Sequence, residues 1–305
     1  MTDMSTPPRP LAVAAKPPRR WLGAKGGWLV FLGMTAFWLF NVLYDQFALH
    51  HVALSPNSLI LGGFGMTGAL IYTLAYRLRP ADGITVVRLL LAFLLGGLFA
   101  TELAVMIEAP LVTFVFSSNS HGTLIAESLA GVIEELCKIA AVVVAARGLA
   151  IKTARNGLFL GGAVGLGFAA FEDMKYAAAS ITDPLFGHNG LGSLIGVTFG
   201  RDLFGPFEHP VLTALFAAGL FAATRNGHYR ITITVVGVYL GVAAVHGLID
   251  SLPALVALVT GSGTGVAGQL PGALSSIAVI IGLDVVWLVY SRRLRRRTVE
   301  PEALN

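Results

Sequence analysis

Residues 130–143 read AGVIEELCKIAAVV: two adjacent acids and a lysine inside an apolar stretch. The apolar run extends over about 123–146, and at ~1.5 Å per residue it is long enough to cross a hydrocarbon core of ~30 Å. In such a core a charged side chain costs roughly 2.5–3.5 kcal/mol or more, so Glu134, Glu135 and Lys138 call for a role. Two other stretches repeat the pattern: GFAAFEDMKYAAA at 167–179 carries Glu172 and Tyr176, and GVAAVHGLIDSLP at 241–253 carries His246 and Asp250. Acids, bases and a cation on separate apolar helices predict a polar site inside a membrane.

Composition supports the membrane reading. The chain has 305 residues, of which 55% are hydrophobic and only 12% charged, with a mean hydropathy of +0.75. Soluble domains carry about 25% charged residues, so this chain has half the usual supply for a water-facing surface. Its one cysteine, Cys137, excludes an intramolecular disulfide framework and a cysteine zinc cage. The formal charge of +4 comes from arginines beside apolar segments, a pattern of membrane topology rather than of nucleic-acid binding.

The expected fold is all-α, a polytopic transmembrane helical bundle of about eight spans: 27–47, 58–76, 85–106, 123–146, 157–179, 209–224, 231–251 and 270–291. Residues 1–26 form a basic, proline-rich tail, 27–291 one transmembrane domain, and 292–305 a second basic tail. The first span has no cleavage site before it and is expected to be a retained anchor. Lys and Arg cluster in the N-terminal tail, in the second, fourth and sixth connections and at the C-terminus, whereas 48–57, 107–122 and 252–269 have none. The positive-inside rule then places both termini in the cytoplasm. Arg201, in a long outer connection at 180–208, is the exception.

With that orientation, Glu134 and Glu135 lie roughly 17 Å below the outer face. Glu172, His246, and His209 with Thr213 at the start of the sixth span, fall in the same outer half. Glu127, Glu134 and Lys138 share one helix face, and Glu134 and Lys138 at i,i+4 predict a local ion pair. His246 and Asp250 are likewise i,i+4, suited to fixing an imidazole or to joint metal ligation. Gly157, Gly161 and Gly165 form a small-residue stripe for close helix approach, and the prolines 110, 206, 210, 253 and 271 are read at span ends.

Glu134-Glu135-x-x-Lys138, Phe171-Glu172-x-x-x-Tyr176 and His246-x-x-x-Asp250, in this order, resemble the motif set of the PrsW family of intramembrane proteases, which is similar in pattern to the CAAX prenyl endopeptidase and bacteriocin-processing group. Arg201 followed by His209 resembles the family's region between its second and third motifs. The resemblance covers about residues 120–255. It implies hydrolysis of a peptide bond in a membrane-spanning protein, such as an anti-sigma factor, in a bacterial plasma membrane. It leaves open a metalloprotease or a metal-free, glutamate-activated water.

Amide hydrolysis needs a base, an oxyanion partner and an acid for the leaving amine. Glu134 or Glu135 is the expected base, Lys138 its neighbouring cation, and Tyr176, His209 and His246 the candidate donors. Glu172, His246 and Asp250, with one of the glutamate pair, are the candidate ligands of a divalent metal; the mixed carboxylate and imidazole set suits zinc. Against these stand plainer roles. Glu134 and Lys138 can simply lock helices, Tyr176 can anchor at the interface, and Asp173 and Lys175 can pair or snorkel. Glu102 and Asp284 are lone acids of second rank, Cys137 is a packing residue, and His50, His51, His121, His188 and His228 fall in loops. The alternative functions are an ion- or proton-coupled transporter, disfavoured by the lack of a repeat and of prolines within spans, and a non-catalytic scaffold.

Overall fold

A computed structural model describes residues 25–50, 56–78, 83–114, 120–182, 190–261 and 266–299. Residues 1–24 and 300–305 of the expected tails, His51, His188 and parts of the predicted outer connections lie outside the described residues, as does the side chain of His121, whereas 292–299 of the expected C-terminal tail continue the last helix. Ten helices follow in chain order: α1 Gly26–Phe47, α2 Pro56–Gly63, α3 Gly65–Tyr72, α4 Val86–Leu94, α5 Thr101–Phe114, α6 Ser120–Ala145, α7 Ala154–Thr182, α8 Leu191–Ala222, α9 Ile233–Thr260 and α10 Val266–Val299. A π-helical turn at Leu95–Ala100 joins α4 to α5, and another extends α3 to Leu78. The described residues form no β-strand.

Among the described residues, six helical spans are long and apolar enough to cross a membrane, seven when the α2–α3 pair, bent by 51°, is counted as one span. Helix α6 has the length, at 26 residues, but carries Glu127, Glu134, Glu135 and Lys138. The apolar stretches of α7 and α8 are 78% and 72% buried within the protein, against 17% for α1 and α10. Helices α7 and α8 therefore form the centre of the bundle, and α1 and α10 its lipid-facing margin. The chain is a multi-pass integral membrane protein.

Close helix crossings set the frame. A Cβ at Gly157, Gly161 or Gly165 would lie 2.5 Å from the carbonyl oxygen of Ala217, Thr213 or His209, so the predicted glycine stripe is the seat of α8. A Cβ at Gly131 would strike the Ala243 carbonyl, and one at Gly247 the Ser128 carbonyl. These two glycines bring α6 and α9 together beside Glu134 and His246.

Three expectations are corrected. The sixth span does not begin at His209: α8 runs from Leu191, so 191–208 is helix rather than outer connection, and Arg201 and His209 share it. The third and seventh spans continue to Phe114 and Thr260. Pro110, Pro206, Pro210, Pro253 and Pro271 all lie inside helices rather than at span ends. The physical reason is shared. Glycine, proline and charge lower the apparent propensity of 191–208, but contacts with several helices, Phe199 on Trp38, Asp202 on the Met66 N–H and Arg201 on Asp173, supply what local propensity lacks.

Candidate active site

Lys138 sits at the middle of the polar cluster and is fully buried. Its Nζ donates to Glu134 Oε2 and Glu135 Oε1, both at 3.0 Å, and lies 2.9 Å from His209 Nδ1. An ammonium only donates, so His209 Nδ1 must accept. The ring proton is thereby assigned to Nε2, which donates to Glu172 Oε2 at 2.8 Å. The same ammonium stands 3.8 Å over the Phe168 ring. The i,i+4 pair expected from sequence is present, and Glu135 and His209 widen it into a network spanning α6, α7 and α8.

The two glutamates have different surroundings. Glu135 is wholly buried; its Oε1 bonds Lys138 and lies 3.0 Å from His246 Nδ1, and its Oε2 accepts from Thr213 at 3.2 Å. Glu134 accepts only from Lys138 and faces His246 Nε2 at 3.4 Å. Asp250 Oδ2, also at 3.4 Å, and Glu208 Oε1, at 3.7 Å, crowd the same ring nitrogen. Neither ring nitrogen of His246 makes a hydrogen bond of good geometry.

Arg201 occupies the next layer. It donates to Asp173 Oδ1 at 2.8 Å and to Glu172 Oε2, and its guanidinium lies 3.8 Å over the Tyr176 ring. Asp173, expected to pair or snorkel, is buried and paired. Glu172, a candidate metal ligand by sequence, turns its carboxylate to Arg201 and His209. Lys175 instead pairs with Glu102 at 2.7 Å. Next to Arg201, Asp202 accepts from the Met66 backbone N–H at 2.8 Å, just after the break between α2 and α3.

Glu134, Glu135, Lys138, Glu172, His209, His246 and Asp250 are thus brought together from α6, α7, α8 and α9, with Tyr176 reached through Arg201. Asp284, on peripheral α10, takes no part in these contacts, and Cys137 is buried. Glu208 joins the cluster without having been singled out by its sequence. Its signal is the one that marks the others, a lone acid in a helix, but it falls in a segment that reads as connection.

Residues 85–283 match the model of the family described as PrsW family intramembrane metalloprotease. The chain belongs to the PrsW family. The match spans α4 to α10 and includes every residue of the cluster, so this PrsW protein is an intramembrane protease by family and a helical bundle by fold. Neither the curated proteins nor the solved structures yield a match.

Proposed function

We propose that this PrsW protein hydrolyses a peptide bond of a membrane-spanning protein in the outer half of a bacterial plasma membrane, with Glu134 as the base. The observation that carries this is the asymmetry of the glutamate pair. Glu135 is held by Lys138 and Thr213 and lies against His246, so its lone pairs are committed to structure. Glu134 has one hydrogen bond and keeps acceptor capacity towards a water.

In this reading Lys138 fixes the direction of Glu134. Glu134 takes a proton from water as the oxygen attacks the scissile carbonyl carbon. The oxyanion is met by a donor such as the Tyr176 hydroxyl, whose ring Arg201 holds. The proton on Glu134 then passes to the leaving amine as the C–N bond breaks, so one carboxylate serves as base and then acid. His209, neutral and bonded at both nitrogens, positions Lys138 against Glu172.

The residues also fit a divalent ion. Two groups, Glu134–His209–His246 and Glu208–His246–Asp250, each offer ligand atoms within 4.8 Å of one another. The His246 ring nitrogens and Glu208 Oε1 are buried without hydrogen-bond partners. Bound there, zinc would supply Lewis-acid polarisation of water or carbonyl.

The test is cleavage of a single-span membrane substrate, an anti-sigma factor by family resemblance, by purified protein with and without chelator. E134Q is expected to lower the rate by about 10²–10⁴-fold, the range of a lost general base. Wild-type cleavage by E134Q would sink the assignment. Prolines within α8 and α9 remove one objection to transport; proton-coupled flux without cleavage would favour that reading.

A further inference from the structure

Glu208 sits one residue before His209, yet its carboxylate faces a different partner. The side chain is only 9% exposed, and Oε1 has no hydrogen bond. It points at His246 Nε2 from α8, while Asp250 Oδ2 approaches the same nitrogen from α9. One Nε2 can donate one proton to one acceptor, so the ring alone cannot satisfy both acids.

The protein's own permanent cations are directed elsewhere. Lys138 has three N–H donors, and they meet Glu134, Glu135 and His209. Arg201 is turned to Glu172 and Asp173. The ammonium therefore already meets two members of the Glu134–His209–His246 group, with the charge sign that a metal would have. The Glu208–His246–Asp250 corner has converging acceptors and no such cation among the described residues. Its spacing is suitable: ligand atoms about 2.0–2.1 Å from a tetrahedral zinc lie roughly 3.4 Å apart, and here Nε2 stands 3.4 Å from Asp250 Oδ2 and 3.7 Å from Glu208 Oε1.

Building on the hydrolase reading above, we propose that the divalent cation of this chain is held by Glu208, His246 and Asp250, and that Lys138 is the fixed cation of the Glu134–Glu135–His209 half. Three protein donors leave a coordination position open, and Glu134 Oε2, 3.4 Å from Nε2, borders it. Asp250, with 31% of its side chain exposed, gives the ion a way in. Glu172 is not a ligand.

The test is zinc retention by the purified, detergent-solubilised full chain after dialysis, read by elemental analysis. Wild type should hold roughly one zinc per chain, as a single mononuclear site requires. E208Q and D250N should each weaken binding at least about tenfold, the loss that even outer partners of a metal site bring. E172Q should retain zinc. E208C answers the risk of misfolding: loaded with Co²⁺, it should show a thiolate-to-cobalt absorption in the near ultraviolet that wild type lacks. Wild-type zinc affinity in E208Q, or no thiolate band in a folded E208C, overturns the proposal. So does a wild-type protein that holds no zinc; cleavage by that zinc-free protein would leave the hydrolase reading standing. Failure of metal-loaded wild type to cleave any membrane substrate would sink the hydrolase reading alone.

Discussion

Lys138 directs its donors along three diverging lines, to two acids on its own helix and to an imidazole on α8. Removing it leaves Glu134 and Glu135 buried without a counter-charge. K138M is therefore expected to lower stability by about 3–5 kcal/mol, the range for breaking a buried pair, measured by unfolding in detergent. K138R should not restore function, because a planar guanidinium fork cannot reproduce the three directions of an ammonium. Wild-type cleavage and stability in K138R would contradict the point-charge role. At this scale the sequence is informative wherever a charge interrupts an apolar run, as at Glu134, Glu172 and His246. It is silent on which acid each cation chooses: Arg201, 28 residues from Asp173 along the chain, meets it only because α7 and α8 pack together.

The elements are positioned by absent side chains. Gly247 lets α9 lie on α6 against the Ser128 carbonyl, whereas a methyl added at Gly241, on the same helix, would meet nothing within 4 Å. G247A should thus force the helices apart, lowering both stability and cleavage. G241A should be neutral or stabilising by up to about 1 kcal/mol, the helix-propensity gain of alanine over glycine. Equal melting temperatures for the two variants would remove the crossing argument. A span of uniform hydropathy, such as α1, is legible in its sequence. The first half of α8 is not, since Gly196, Gly200, Arg201, Asp202 and Pro206 read as a connection. Its charges are satisfied by α7 and α3, which is tertiary information. Glu208 is hidden with that segment.

For the whole molecule, the margin is apolar and the centre is polar, as expected of a bundle whose solvent is lipid. Trp28, Phe37, Phe40 and Phe47 on α1 are exposed, and Lys138, His209 and His246 are buried. The eight spans expected from the sequence, with the basic connections inside, predict both termini in the cytoplasm. Reporters active only on one side of the membrane, fused to each terminus in turn, should both signal the cytoplasmic side; opposite signals would mean an odd number of passes.

Arg201 and Asp202 are neighbours in α8, yet one holds the Glu172 carboxylate and the other the N–H of Met66 at the bend between α2 and α3. A helix backbone is stiff over one residue, so the phase of α8 about its own axis sets both attachments at once. Inserting a single residue just after Asp202 would turn the pair by about 100° relative to the part of α8, from His209 onward, that is seated on α7. The bend and the acid cluster would then lose their anchors together.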